Sequence, residues 1–134
     1  MRRPRRLSDF QGRWQLRRRI RHVDGARAEF TGLAEWQPCD AGLRQVETGM
    51  LRIAGQPAIS ASRCHVWHAD LSVWFEDGRF FHTVPPMGGR SAHWCDPDQY
   101  EAGYDFSDWP RFRVTWRVHG PRKAYCMISR YRPQ

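Results

Sequence analysis

The chain has 134 residues with seven Trp, seven Phe and four Tyr, enough apolar material for the core of one domain and too little length for two. Its apolar residues are spread along the sequence rather than gathered into a run of about 18, which excludes a membrane-spanning helix. The formal charge of +8 is lopsided, since residues 1–27 hold ten arginines against Asp9 and Asp24, while basic and acidic residues balance beyond them.

Residues 1–9, Met1 to Asp9, form a basic N-terminal segment, and 10–134 are read as a single domain. No apolar stretch follows the basic start, so neither a secretory signal nor a lipidation motif is read there, and cytoplasmic residence is expected. Cys39, Cys64, Cys95 and Cys126 form no C-x-x-C pair, and in a reducing compartment they are expected as free thiols.

Strand periodicity then dominates. From Trp14 to His22, the positions Trp14, Leu16, Arg18 and Ile20 face one way and Arg13, Gln15, Arg17, Arg19 and Arg21 the other, the pattern of a half-buried strand. Val23-Asp24-Gly25-Ala26-Arg27 reads as a hairpin connection into a second strand, where Phe30, Gly32, Ala34 and Trp36 alternate with Glu29, Thr31, Leu33 and Glu35. Further strands are expected over 43–52, 58–68, 71–76, 79–84, 91–96, 101–106, 111–119 and 124–132. Turn chemistry separates them at Ala54-Gly55-Gln56-Pro57, Asp77-Gly78 and Gly120-Pro121. Asp77-Gly78 suits a type I′ hairpin, and Pro85-Pro86-Met87-Gly88-Gly89 is the conspicuous irregular loop. The sum is an all-β domain of about ten short antiparallel strands, and closure into an up-and-down barrel would remove exposed edges.

Phe10-x-Gly12-x-Trp14-x-Leu16 at the head of the first strand resembles the Gly-x-Trp signature of the lipocalin and fatty-acid-binding superfamily. That resemblance implies a barrel closed at one end by Trp14, with an arginine of the last strand packed across it; Arg130 is the candidate. The five-residue connection after strand one has no room for the helical lid of fatty-acid-binding proteins, so a fatty-acid ligand is not implied. The chain resembles more fully a family of small, mostly bacterial proteins known as a domain of unknown function. The matching elements are Phe10-x-Gly12-x-Trp14, Glu47-x-Gly49-x-Leu51, Arg63-x-His65-x-Trp67, Phe75-x-Asp77-Gly78-Arg79-Phe80-Phe81-His82, His93-x-Cys95-x-x-Asp98-x-Tyr100 and Gly120-Pro121-Arg122-Lys123. It implies the fold and no chemistry.

The residues that could carry chemistry follow from facing. Gln45, Glu47, Gly49 and Leu51 share one strand face, as do Ala61, Arg63, His65 and Trp67. Charges at Glu47 and Arg63 that point inward must pair with each other or meet a ligand. His82, His93, Asp98 and Tyr100 form the chemically densest stretch: a histidine base, an orienting carboxylate and a phenol would suit a small lyase, isomerase or hydrolase. His93-x-Cys95 also places two metal donors on one face, which keeps a haem or metal reading open. Trp36, Trp67, Phe112 and Trp116 are either filled core or the lining of a hollow.

The leading expectation is a barrel that binds a small, partly apolar molecule with a polar or acidic group. Its ligand contacts are expected at Glu47, Arg63, His65, Trp67, His82, His93, Asp98, Tyr100 and Trp116, in a monomer or homodimer. The outward stripe Arg13, Arg17, Arg19 and Arg21, reinforced by Arg2, Arg3, Arg5 and Arg6, lacks the exposed aromatics that stack on bases, so nucleic acid is an unexpected partner.

Overall fold

Alternating apolar and polar residues joined by turn-forming dipeptides leave one economical arrangement, a sheet coiled on itself with its apolar face inward. The computed structural model, which describes residues 3–134, has that form. Met1 and Arg2, the latter part of the expected basic segment, lie outside the described residues.

A short 3-10 helix, Leu7–Phe10, precedes β1 (Gly12–His22), β2 (Arg27–Cys39), β3 (Gly42–Ile53), β4 (Ile59–His68), β5 (Ser72–Phe75), β6 (Phe80–Thr83), β7 (Gly89–Cys95), β8 (Asp98–Asp105), β9 (Phe112–His119) and β10 (Ala124–Pro133). All pairings are antiparallel, in the order β6-β5-β4-β3-β2-β1-β10-β9-β8-β7. The ladder ends at β6 and β7. There the seam is bridged by rings, with His93 at 6.4 Å from Phe80 and 5.4 Å from Phe81 between centroids. The barrel is therefore nearly closed.

Closure needs a sharp bend where the longest strands cross, and glycine supplies it. Gly32 pairs directly with Gly49 across β2 and β3. A Cβ on Gly49 would collide with the Thr31 carbonyl oxygen and stand 2.7 Å from the Gly32 Cα, so the two backbones approach more closely than any side chain allows.

One end of the barrel is filled with aromatic rings. Phe10 is fully buried and its ring lies 5.0–6.0 Å from those of Trp36, Trp67, Phe106, Trp109 and Phe112. Trp14 donates its indole N–H to the Phe10 carbonyl at 2.8 Å, which ties the 3-10 helix to the first strand. Trp14 thus lies at the closed end, as the resemblance implied.

Arg130 does not join it. Arg130 pairs in register with Arg17 and Arg113 on the outer face and is exposed. The strand period of two explains this: Tyr131 and Ser129 take the inward positions of β10, so Arg130 must point out. The guanidinium at this end comes from the N-terminal segment instead. Arg5 lies 4.4 Å above the Trp109 ring, and its backbone N–H donates to the Pro86 carbonyl.

Candidate ligand site

Strand alternation brings one inward residue from each of several strands to the same height, and at mid-barrel these are polar. Glu47 (β3) is 1% exposed and holds four donors. Its Oε1 accepts from Arg18 Nη2 at 2.9 Å and from Arg63 Nε at 2.7 Å, and its Oε2 from Gln45 Nε2 at 3.0 Å and Tyr131 Oη at 2.6 Å. Around this hub Arg18 Nε donates to Ser129 Oγ at 2.7 Å, and Trp67 Nε1 to Gln45 Oε1 at 2.7 Å.

Burial alone would raise the Glu47 pKa, but Arg63 and Arg18, aided by the Tyr131 hydroxyl, overcome it and hold the carboxyl at about 2. Both oxygens are engaged, so this carboxylate is an electrostatic anchor and not a free base.

The imidazoles beside it are neutral at pH 7. Burial, then the positive charge of Arg63, takes His65 down to about 4. Burial, then the neighbouring His65 and His93, takes His82 to about 3. His82 Nε2 is 2.7 Å from Tyr104 Oη, whose own pKa burial pushes well up, so this is a neutral pair in an apolar setting. His65 stacks on Phe81, which stacks in turn on Trp116.

Exposure divides the barrel at this layer. Below it, Trp14, Leu16, Trp36, Leu43, Trp67, Phe112 and Tyr131 are buried, and the chamber between Trp36, Trp67, His82, Tyr104 and Trp116 measures about 30 Å³. That is room for ordered water and not for a sizeable ligand. Above it the inward residues Ile20, Leu51, Ala61, Phe75, Tyr100 and Met127 are each only partly buried. Arg63, pointing inward from β4, keeps 40% of its side chain accessible. The upper half is therefore an open cup whose floor carries Arg63.

Several expected site residues meet here: Glu47, Arg63, His65, Trp67, His82 and Trp116 line or support the same interior. The second group does not assemble as a catalytic set. His93 pairs across the strands with Tyr100, at 6.2 Å between rings, but Asp98 turns away to Lys123 Nζ at 3.2 Å. Lys123 also donates to the Tyr100 hydroxyl at 3.3 Å, so the carboxylate and phenol serve a lysine at the rim and leave His93 unoriented. Cys95, expected beside His93 as a possible metal donor, is exposed, and no group of three or more His, Cys, Asp or Glu able to hold a metal occurs among the described residues.

Arg18, Gln45, Tyr104 and Tyr131 belong to the layer without having been nominated from sequence. An arginine between Leu16 and Ile20 on an otherwise apolar face is the signal that marks Arg18. Tyr104 and Tyr131 carry no such signal, because a tyrosine fits an apolar face whether or not its hydroxyl has a partner.

Two solved structures align over almost the whole chain. The S-type phycobiliprotein lyase CPES from Guillardia theta aligns with a TM-score of 0.63 at 10% identity, over 96% of this chain and 90% of the other. A de novo designed fluorescence-activating β-barrel aligns at 0.47 and 14% identity, over 96% of each. At such identity the likeness to the lyase is one of fold. No curated protein matches. Among the described residues no helix is long and apolar enough to cross a membrane. The chain belongs to a family of unknown function, DUF6314, whose model matches residues 10–133.

Proposed function

We propose that this DUF6314 member binds a small, partly apolar molecule in the open half of its barrel, with an acidic group of the ligand meeting Arg63. One observation carries the reading: the mid-barrel layer sets two arginines against a single carboxylate, and the uncancelled charge faces the cup. Arg18 is 6% exposed and consumed by Glu47, Ser129 and Tyr131. Arg63 makes one side-chain hydrogen bond among the described residues, through Nε to Glu47, which leaves its Nη groups without a partner there on a side chain that is 40% exposed. A guanidinium edge held in that way is a fork for a carboxylate, sulfonate or phosphate.

The walls suit the rest of such a ligand. Leu51, Phe75, Tyr100 and Met127 present apolar surface, and Phe81 with Trp116 supplies a stacked aromatic pair near the layer. The lyase of the same fold, by its name, acts in phycobiliprotein chemistry, and this supports the idea that a barrel of this architecture accommodates a sizeable organic molecule.

The test is a titration with a matched pair of fluorescent probes, 8-anilinonaphthalene-1-sulfonate and the uncharged N-phenyl-1-naphthylamine. Losing one charge-assisted bidentate contact in Arg63→Gln should weaken the sulfonate by about tenfold or more while leaving the neutral probe within about twofold. Glu47 keeps Arg18, Gln45 and Tyr131 in that variant, so the fold persists. Equal affinity of wild type and variant for the sulfonate would refute the role given to Arg63.

A further inference from the structure

The outer face of the barrel carries a second cationic site, unconnected with the cup. Arg17 on β1, Arg130 on β10 and Arg113 on β9 are direct register partners, so three guanidiniums stand in a row across adjacent strands. Like charges directly opposite one another on a sheet repel, and a row of this kind is normally broken by an acid. Here Arg113 alone has one, Asp105 at 2.9 Å. Among the described residues Arg17 and Arg130 have no ion-pair partner, in contrast to Arg13 with Glu35 and Arg19 with Glu29 on the same face.

The row is not a flat patch. The β8–β9 loop, with Ser107, Asp108 and Arg111, rises beside it, and Arg132 flanks it, held by Gln15 at 2.6 Å. Together they enclose a groove of about 500 Å³ with five arginines and two aspartates. Neighbouring strands stand about 4.8 Å apart, so the row places its charges across roughly 10 Å. That span and volume fit a compact ligand.

We infer that this groove binds a small phosphate ester with more than one phosphoryl group, its oxygens spread along Arg17, Arg130 and Arg113. Multivalency is required by the row itself, since a single charge relieves only one of its neighbours. Guanidinium forks match phosphoryl oxygens in pairs. The groove has no exposed aromatic ring for base stacking, which favours a compact polyphosphorylated molecule over a nucleic-acid strand.

Tripolyphosphate is the probe, titrated by calorimetry at constant ionic strength beside sulfate and a short oligothymidylate. Two double variants with the same change of net charge are compared, Arg17→Gln with Arg130→Gln, and Arg19→Gln with Arg21→Gln, all at exposed positions. The expected result is tripolyphosphate binding that the first pair weakens by about tenfold or more and the second by less than about twofold. The first pair should also raise the melting temperature of the unliganded protein, because it removes the uncompensated repulsion. Equal losses in both pairs, tripolyphosphate no tighter than sulfate, or tighter binding of the oligothymidylate would each overturn the inference.

Discussion

Glu47→Gln tests the central electrostatic claim, because it changes a charge and almost no volume. In the wild type Glu47 is 1% exposed and neutralises Arg18, itself 6% exposed. The amide leaves a buried guanidinium without its counter-charge, a change that costs about 3–5 kcal/mol where it has been measured for buried pairs. A second route gives a similar size: lowering the Glu47 pKa from 4.5 to about 2 corresponds to ~3 kcal/mol at ~1.4 kcal/mol per unit. With ~2.1 cal/mol/K of unfolding entropy per residue over 134 residues, ~3 kcal/mol lowers the Tm by about 10 °C. Arg18→Met is the companion variant. It leaves Glu47 with Arg63, Gln45 and Tyr131, so it should cost less than Glu47→Gln. Thermal unfolding followed by circular dichroism measures both. A Tm for Glu47→Gln within about 2 °C of wild type, or a larger loss in Arg18→Met, would refute the account of the layer.

Acid should destabilise the protein from three groups with one sign. Glu47 has its folded pKa depressed to about 2, and His65 and His82 have theirs depressed to about 4 and 3. In each case the unfolded chain takes up its proton first as pH falls, so stability is full above about pH 7 and declines through the histidine window and then the carboxylate window toward pH 2; a urea midpoint that rises between pH 7 and 5 would contradict this. Gly49→Val should cost about 1–3 kcal/mol or more, because the new Cβ meets backbone at Thr31 and Gly32. Gly103→Ala, with nothing within 4 Å of the added atom, should leave the urea midpoint unchanged or slightly raised. Arg5→Ala should cost about 1–2 kcal/mol through loss of stacking on Trp109. Arg130→Ala should stay within about 0.5 kcal/mol or stabilise, and the reverse ranking by chemical denaturation would restore Arg130 as the closing residue.

The strands were legible because a half-buried strand writes its facing into alternate residues. Trp14, Leu16, Arg18 and Ile20 are inward, and Arg13, Arg17, Arg19 and Arg21 outward, as the pattern of β1 requires. Boundaries were less legible: β8 begins at Asp98 and not at 101, since pairing with β7 through Cys95 extends a ladder that hydropathy alone does not mark. The Glu47–Arg63 pair follows from two charges on inward faces of adjacent strands. Two further donors to Glu47, Arg18 and Tyr131, lie 29 and 84 residues away from it in sequence, and only the closed sheet order brings them together. Asp98 shows the limit from the other side. Its position two residues before Tyr100 fits a catalytic pair, yet the β9–β10 turn delivers Lys123 to both of them. Arg130 shows a third limit, in which a family expectation placed one residue off in a strand lands on the opposite face.

The charged layer also decides where in the barrel binding would be cheap. A ligand that entered the aromatic half would have to displace rings such as Phe10 and Trp36, both almost wholly buried, for a chamber of about 30 Å³. A ligand acid that competed for Arg18 would break a buried ion pair and strand a charge. At Arg63 neither penalty applies. Its Nε would stay on Glu47 while the Nη edge met the proposed ligand, so the buried pair would survive binding. The same bond restricts the side chain before the ligand arrives, which reduces the ordering cost that a free surface arginine would pay. The unequal treatment of two arginines by one glutamate, with Arg18 spent in the core and Arg63 held at its edge, is thus what would give the proposed binding cup its positive floor.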